Sequence, residues 1–191
     1  MTWQDYYSKT SGRPPRATLL DALDRFAAPG IAIDLGCGDG RDAIELLRRS
    51  WSVLGVDSEP AAIARLKARP DLPPDARLET TVARFEEVDW PVADLVNASF
   101  SLFFTAPDAF PALWRKLFES IRTGGRFAGQ LLGERDSWAR RGNIVYFERA
   151  GLDRLLAGFI VEMLEIEEED SVTPRGEAKH WHLYHLVLRK P

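Results

Sequence analysis

Cysteine is nearly absent. Cys37 is the only one in 191 residues, which excludes an intrachain disulfide and makes a reducing, cytoplasmic compartment the expectation. No apolar run approaches the roughly 20 residues that a helix needs to cross a bilayer. The opening Met1-Thr-Trp-Gln-Asp5 holds no secretion-type apolar core. A membrane partner is therefore not expected. Positive charge is not in excess either: 25 Lys and Arg stand against 29 Asp and Glu, a net charge of −4. Nucleic-acid binders show a basic balance or stripe, so no nucleic-acid partner is expected. Repeats and low-complexity tracts are also missing. What remains is 45% hydrophobic and 28% charged, the make-up of an ordinary globular chain able to bury its own core. The length fits a single domain, 1–191, with residues 1–16 as an N-terminal extension or lid that ends in the breaker Gly12-Arg-Pro-Pro15.

Apolar spacing alternates along the chain. Helical spacing is read over Ala17–Phe26, Arg41–Arg49, Pro60–Arg69, Phe110–Ile121 and Glu148–Leu156. Strand-like runs fall at Ile31–Leu35, Ser52–Val56, Arg77–Val82, Val92–Phe100 and Arg126–Leu132. Gly124-Gly125 is read as the stop of the Phe110 helix. Two further strands, Phe159–Glu167 and Trp181–Arg189, close the chain, with a polar loop Glu168–Lys179 between them. Strands alternating with helices predict an α/β fold, a mostly parallel sheet covered on both faces. The last two strands have only a loop between them, so they pair antiparallel.

One turn carries chemistry. Ile33-Asp-Leu-Gly-Cys-Gly-Asp-Gly40 joins the first strand to a helix, the place where open α/β sheets bind ligands. Asp57 ends the next strand, where a carboxylate can accept from both hydroxyls of a ribose. A dinucleotide site needs Gly-x-Gly-x-x-Gly and a helix N-terminus open to a pyrophosphate. Here the third glycine comes one residue early, and Asp34 and Asp39 flank the turn. Those carboxylates repel a diphosphate and attract a cationic nucleoside.

Ala32-Ile-Asp-Leu-Gly-Cys-Gly-Asp-Gly40 resembles the first motif of class I S-adenosylmethionine-dependent methyltransferases, and Val53-Leu-Gly-Val-Asp-Ser58 their second. The likeness runs from about Ala17 to Arg189. It implies a three-layer Rossmann-like fold whose seven-stranded sheet ends in an antiparallel strand. It also implies S-adenosylmethionine as cofactor and S-adenosylhomocysteine as product. The small size, the start Trp3-Gln-Asp-Tyr-Tyr7 and the closing Lys179-His-Trp-His182 are similar to small-molecule methyltransferases of the tellurite-resistance type. By this resemblance Asp34 orients the methionine part, Gly36, Cys37 and Gly38 pass beneath the ligand, and Asp57 with Ser58 holds the ribose. The family often places an acid after the third strand to accept from adenine. Ala83 stands there instead, which passes the adenine to Arg84 and Phe85. Arg13 is placed by the resemblance at the cofactor's carboxylate, with a solvated loop arginine as the competing reading.

Asn97-Ala-Ser-Phe100 ends the fourth strand beside the expected methyl position. It is faintly similar to the Asn-Pro-Pro-Tyr signature of N-methylases but lacks both prolines, so the preferred reading is a strand end whose backbone lines the cofactor. His180 and His182 share a face of their strand and His185 takes the other. Three histidines divided in this way do not make a metal site, and none is expected. His180 or His182 is a candidate general base at the acceptor, against ordinary strand histidines. Tyr6, Tyr7 and Trp138 are candidates for an aromatic lid over the acceptor, against core packing.

Methyl transfer from a sulfonium needs alignment of nucleophile, methyl and sulfur at about 3–3.5 Å and exclusion of water more than acid–base power. With no compelling base in the sequence, a small-molecule acceptor is expected. A protein or RNA acceptor, a noncatalytic S-adenosylmethionine sensor or partner subunit, and a nucleotide-dependent oxidoreductase are the alternatives.

Overall fold

The computed structural model describes residues 12–173 and 176–191. The chain runs α1 (Ala17–Asp24), β1 (Ile31–Leu35), α2 (Arg41–Arg48), β2 (Ser52–Asp57), α3 (Pro60–Lys67), β3 (Leu78–Val82) and β4 (Ala93–Ala98). A 3-10 turn (Leu102–Phe104) follows, then α4 (Phe110–Ser120), β5 (Ile121–Gly133), β6 (Tyr146–Phe147), α5 (Arg149–Leu156), β7 (Ile160–Val172) and β8 (Ala178–Arg189).

The strands lie in the order β3-β2-β1-β4-β5-β8-β7, with the two-residue β6 beside the end of β5. The pairs from β3 across to β5 are parallel, and β8 is antiparallel to both β5 and β7. The order reverses between β1 and β4, so the crevice for a ligand opens at the C-terminal ends of those two strands.

Alternation along β1 sends its side chains into two cores. Ile33 and Leu35 join Val96, Phe127, Leu131 and Leu186 under α4 and α5. Ala32 joins Val53, Leu95, Ala128 and Val187 under α1, α2 and α3. A smaller cluster, built on Phe103, Leu132, Ile144 and Leu183, is packed by Phe100, Trp138 and Trp181.

Three expectations are corrected. The helix over Phe110–Ile121 ends at Ser120, and β5 starts at Ile121 rather than at Arg126. Gly124 and Gly125 lie within that strand, bonded to Lys190 (Gly124 N–H to Lys190 C=O 2.9 Å; Lys190 N–H to Gly125 C=O 2.9 Å). The polar stretch Glu168–Lys179 is mostly strand: β7 runs to Val172 and β8 begins at Ala178, with Asp170 opposite His180. An eighth, two-residue strand joins the expected seven.

Candidate active site

The C-terminal ends of β1, β2 and β4 meet at the glycine turn. The amides of Gly36 and Cys37 both donate to Val56 C=O at the end of β2 (2.7 and 3.2 Å). Gly36 has φ +76°, a conformation that side chains rarely adopt, and a Cβ there would overlap Ser101. The Ser101 hydroxyl in turn donates to Leu35 C=O at 2.6 Å, tying the exit of β4 to that of β1. Gly40, with φ +89°, delivers the chain into α2.

Asp57 is fixed by two amides. Gly38 N–H donates to its Oδ2 and Glu59 N–H to its Oδ1, each at 2.9 Å. A carboxylate accepts about four hydrogen bonds, so capacity remains for two ribose hydroxyls. Burial raises its pKa in spite of those donors.

Asp34 sits opposite Asn97 in the β1–β4 ladder and is 2% exposed. The Asn97 amide donates to Asp34 Oδ1 at 2.8 Å and to Asp42 Oδ2 at 3.1 Å. Asp42 Oδ1 accepts from the backbone of Arg16 at 2.9 Å. Asp34 Oδ2 is buried and has no partner among the described residues. Burial, then the charge of Asp42, raises the Asp34 pKa to about 8.

The remaining expected residues divide. Phe85 is half-buried and packs toward Gly36. Cys37 offers the turn only its backbone. Its thiol is buried in the α2–β2 core and held protonated by burial, then by Asp34 and Asp57. Ser58 and Arg84 are exposed, and Arg84 pairs with Glu86 at 3.2 Å. Arg13 is exposed. Its neighbours do the tying: Pro14 C=O accepts from Arg41 Nε at 2.6 Å, and the Arg16 guanidinium lies 4.1 Å from the ring centre of Phe100. Tyr6 and Tyr7 lie outside the described residues.

Trp138 packs on Phe103, Phe104 and Trp181 with ring centres 5.5–6.3 Å apart. Phe100 joins this group through Phe103 and Trp181. It has φ +56°, strained for an aromatic residue, and its amide donates to Gln130 Oε1 at 3.2 Å. Together these rings form an aromatic wall where β4, β5 and β8 meet, beside the glycine turn. Phe104 is 44% exposed on it.

His180 and His182 do share a face, and His185 takes the other with Gln130 and Glu167. Neither His180 nor His182 hydrogen-bonds to the glycine turn. His180 is partly exposed, and its pairing with Asp170 (2.8 Å) and Glu168 (3.3 Å) raises its pKa. His182 is buried against Gly133, where any Cβ would overlap its ring. Its two ring nitrogens face Arg135 donors, the backbone amide at 3.2 Å and Nη2 at 3.1 Å. Burial, then Arg135, lowers its pKa.

Sequence reasoning missed Asp42, Arg16, Phe100 and Ser101. Only Asp42 left a trace, as an acid in the first turn of a helix whose following residues are apolar.

Residues 32–125 match the family of the methyltransferase domain. Trans-aconitate 2-methyltransferase of Deinococcus radiodurans is 31% identical over 153 residues, which are 74% of this chain and 54% of that protein. The chain thus spans about half the length of that relative. Among solved structures, TehB from Haemophilus influenzae superposes over 100% of this chain and 68% of its own with TM-score 0.80 and 16% identity. The 1,6-didemethyltoxoflavin-N1-methyltransferase of Burkholderia thailandensis covers 98% of this chain and 86% of its own, with TM-score 0.68 and 21% identity. The match falls on the glycine turn and the strands that hold it, and the neighbours share the fold around them: residues 32–125 resemble a methyltransferase domain, and the chain as a whole has the fold of those methyltransferases.

Proposed function

We propose that the protein transfers a methyl group from S-adenosylmethionine to a small-molecule acceptor by in-line displacement, leaving S-adenosylhomocysteine. The charge of the cradle carries this reading. The glycine turn lies between Asp34 and Asp57, and the hydrogen bonds that hold both come from amides. A diphosphate would face Asp57 and add to the negative surroundings that keep Asp34 protonated, whereas a cation lets Asp34 ionise. An ammonium or sulfonium gains about 4 kcal/mol per charge pair at ~4 Å and an effective dielectric of 20, before desolvation.

The residues fit the cofactor. Asp57 has acceptor capacity for the ribose, Asp34 Oδ2 is an unpaired buried acceptor for the amino-acid end, and Phe85 with the amides around Arg84 flanks the adenine position. When bound, the sulfonium supplies an activated methyl. The protein's own task is to orient the acceptor and exclude water. The aromatic wall of Phe100, Phe104, Trp138 and Trp181 supplies an apolar surface for that. His182 is not given the role of base, because its Nδ1 accepts from the Arg135 amide and the neutral ring then carries its proton on Nε2. An acceptor already deprotonated at neutral pH, such as a carboxylate, a thiolate or a reduced chalcogen, needs none. The trans-aconitate named by the Deinococcus relative and the 1,6-didemethyltoxoflavin named by the Burkholderia neighbour are both small molecules. The reading includes a reducing, cytoplasmic setting, which the buried, protonated Cys37 suits. Among the described residues, no helix is long and apolar enough to cross a membrane.

The test combines binding with turnover. Titration should show S-adenosylmethionine and S-adenosylhomocysteine bound and NAD not bound. A panel of thiols, reduced chalcogens, amines and carboxylates, followed by S-adenosylhomocysteine release and acceptor mass, should yield one methylated class. NAD binding without the sulfonium compound would sink the reading. Cofactor binding with no turnover on small acceptors, proteins or RNA would make the protein a sensor. Gly36→Val should lose cofactor binding at least tenfold, since it meets both Ser101 and the positive φ.

A further inference from the structure

The cradle holds more carboxylate than a buried pocket sustains. Asp34 and Asp42 are 2% and 4% exposed, and they share one neutral donor, the Asn97 amide, which gives one N–H to each. Asp42 has a second donor in the Arg16 amide. The Ala43 amide also acts on Asp34, but the buried Asp34 Oδ2 has no partner among the described residues. An unpaired buried acceptor is costly, and a polar cluster left one partner short invites either a proton or a ligand.

The surroundings add negative charge. Asp57 on β2 acts on Asp34 in the same sense as Asp42 on α2. The Cys37 thiol stays neutral, and Asp39 is also raised by burial. On β4 the facing group is the uncharged Asn97. Of the nearby arginines, Arg16 stacks on Phe100, Arg41 bonds Pro14 C=O and Arg69 bonds Asp71. With Asp34 raised to about 8, the ligand-free protein keeps a proton on it at neutral pH.

We propose that Asp34, Asn97 and Asp42 form a proton-exchanging ammonium site. The ligand-free protein holds one proton on the carboxylate pair, and the amino end of S-adenosylmethionine displaces it at Asp34 Oδ2. The balance is one cationic ammonium in and one proton out to solvent, with no other bond made or broken. Asp42 is thus a positioning residue: it holds the proton on Asp34 and acts on the ligand through it. The inference rests on the cofactor reading above.

Calorimetric titration at pH 7 in buffers of different ionisation enthalpy counts the protons. S-adenosylmethionine and S-adenosylhomocysteine should each release close to one proton. 5′-Methylthioadenosine, which lacks the amino-acid end, should bind with none released. Affinity for the first two should rise roughly tenfold per pH unit between about pH 5 and 6.5, below the range in which the ligand's own amine titrates. Asp34→Asn should bind without proton exchange, and Asp42→Asn should lower the count at pH 7. Full-affinity binding with no proton released, or equal release with 5′-methylthioadenosine, would overturn the proposal and leave the cofactor reading standing. Failure of all three nucleosides to bind would overturn both. The wild-type count decides the matter even if a variant does not fold.

Discussion

Asp34 costs the empty protein stability. Its folded form keeps a proton up to about pH 8, whereas the unfolded chain gives it up near the ordinary 3.8. Between those values unfolding releases a proton, so stability from this group is complete below about pH 4, declines as pH rises, and levels off above about 8. The slope is at most about 1.4 kcal/mol per pH unit. Asp34→Asn removes the titration. Thermal melts of ligand-free protein at pH 6 and 8.5 should therefore show the variant gaining several degrees on the wild type at the higher pH. An unchanged difference would show that Asp34 is already ionised at pH 6. Gly36 has the opposite character: its positive φ and the Ser101 contact are met by its lack of a side chain. Both residues were legible in the sequence, because the glycine turn and its acids are contiguous. Asp42 and Arg16 were not, because their roles depend on Asn97 and Phe100, which the sheet brings in from more than 50 positions away.

The hairpin of β7 and β8 is fastened to the loop after β5 by a buried ion pair. Lys179 and Asp136 side chains are fully buried and bonded to each other. Asp136 also accepts from Trp138 N–H at 2.8 Å and His182 N–H at 3.1 Å, and the ammonium lies 4.5 and 4.3 Å from the rings of Trp138 and Trp181. Removing one partner leaves an unpaired buried charge. Asp136→Asn should therefore cost about 3–5 kcal/mol, a fall in Tm on the order of 10 °C for a chain of this size. The double variant Asp136→Asn with Lys179→Met should recover at least half, since methionine sits well against aromatic rings. No recovery would show that the pair is not the fastener. The sequence read Glu168–Lys179 as a solvated loop for a physical reason. Glu168, Glu169 and Asp170 are poor strand formers, and the outer edge of a sheet demands no apolar alternation. Their strand comes from pairing with β8, and Lys179 finds its partner 43 residues away. The helix stop at Gly124-Gly125 was misplaced similarly, because backbone bonds to the chain's end outweigh glycine's local preference.

The edge strand and the body of the molecule are joined by charge as well as by ladder. Glu162 on β7 accepts a bidentate pair from Arg126 on β5 (2.6 and 3.0 Å), lies 3.2 Å from Arg189 on β8, and lies 3.9 Å from Arg25 at the end of α1. Its side chain is 14% exposed, so solvent screens the cluster only in part. Glu162→Gln should cost about 2 kcal/mol in urea unfolding, and the gap should narrow as salt is added. A loss below 0.5 kcal/mol would assign the docking of β7 to the ladder alone. At this scale the mostly parallel sheet and its antiparallel final pair were readable, since alternating periods and a loop-joined last pair leave few topologies. The aromatic wall was not, because its rings come from three separate segments.

The two halves of the site are held by different kinds of bond. The donor cradle is closed mainly by main-chain groups: Gly36 and Cys37 amides on Val56, Gly38 on Asp57, and Leu35 C=O under Ser101. The acceptor wall is made of side chains. Substitutions that reshape Phe104, Trp138 or Trp181 can therefore accumulate without disturbing the cradle, whereas few single changes can alter the cradle without opening the sheet. Under the proposed function, a practical route for redirecting the acceptor follows from that division: randomise the wall and leave the turn alone.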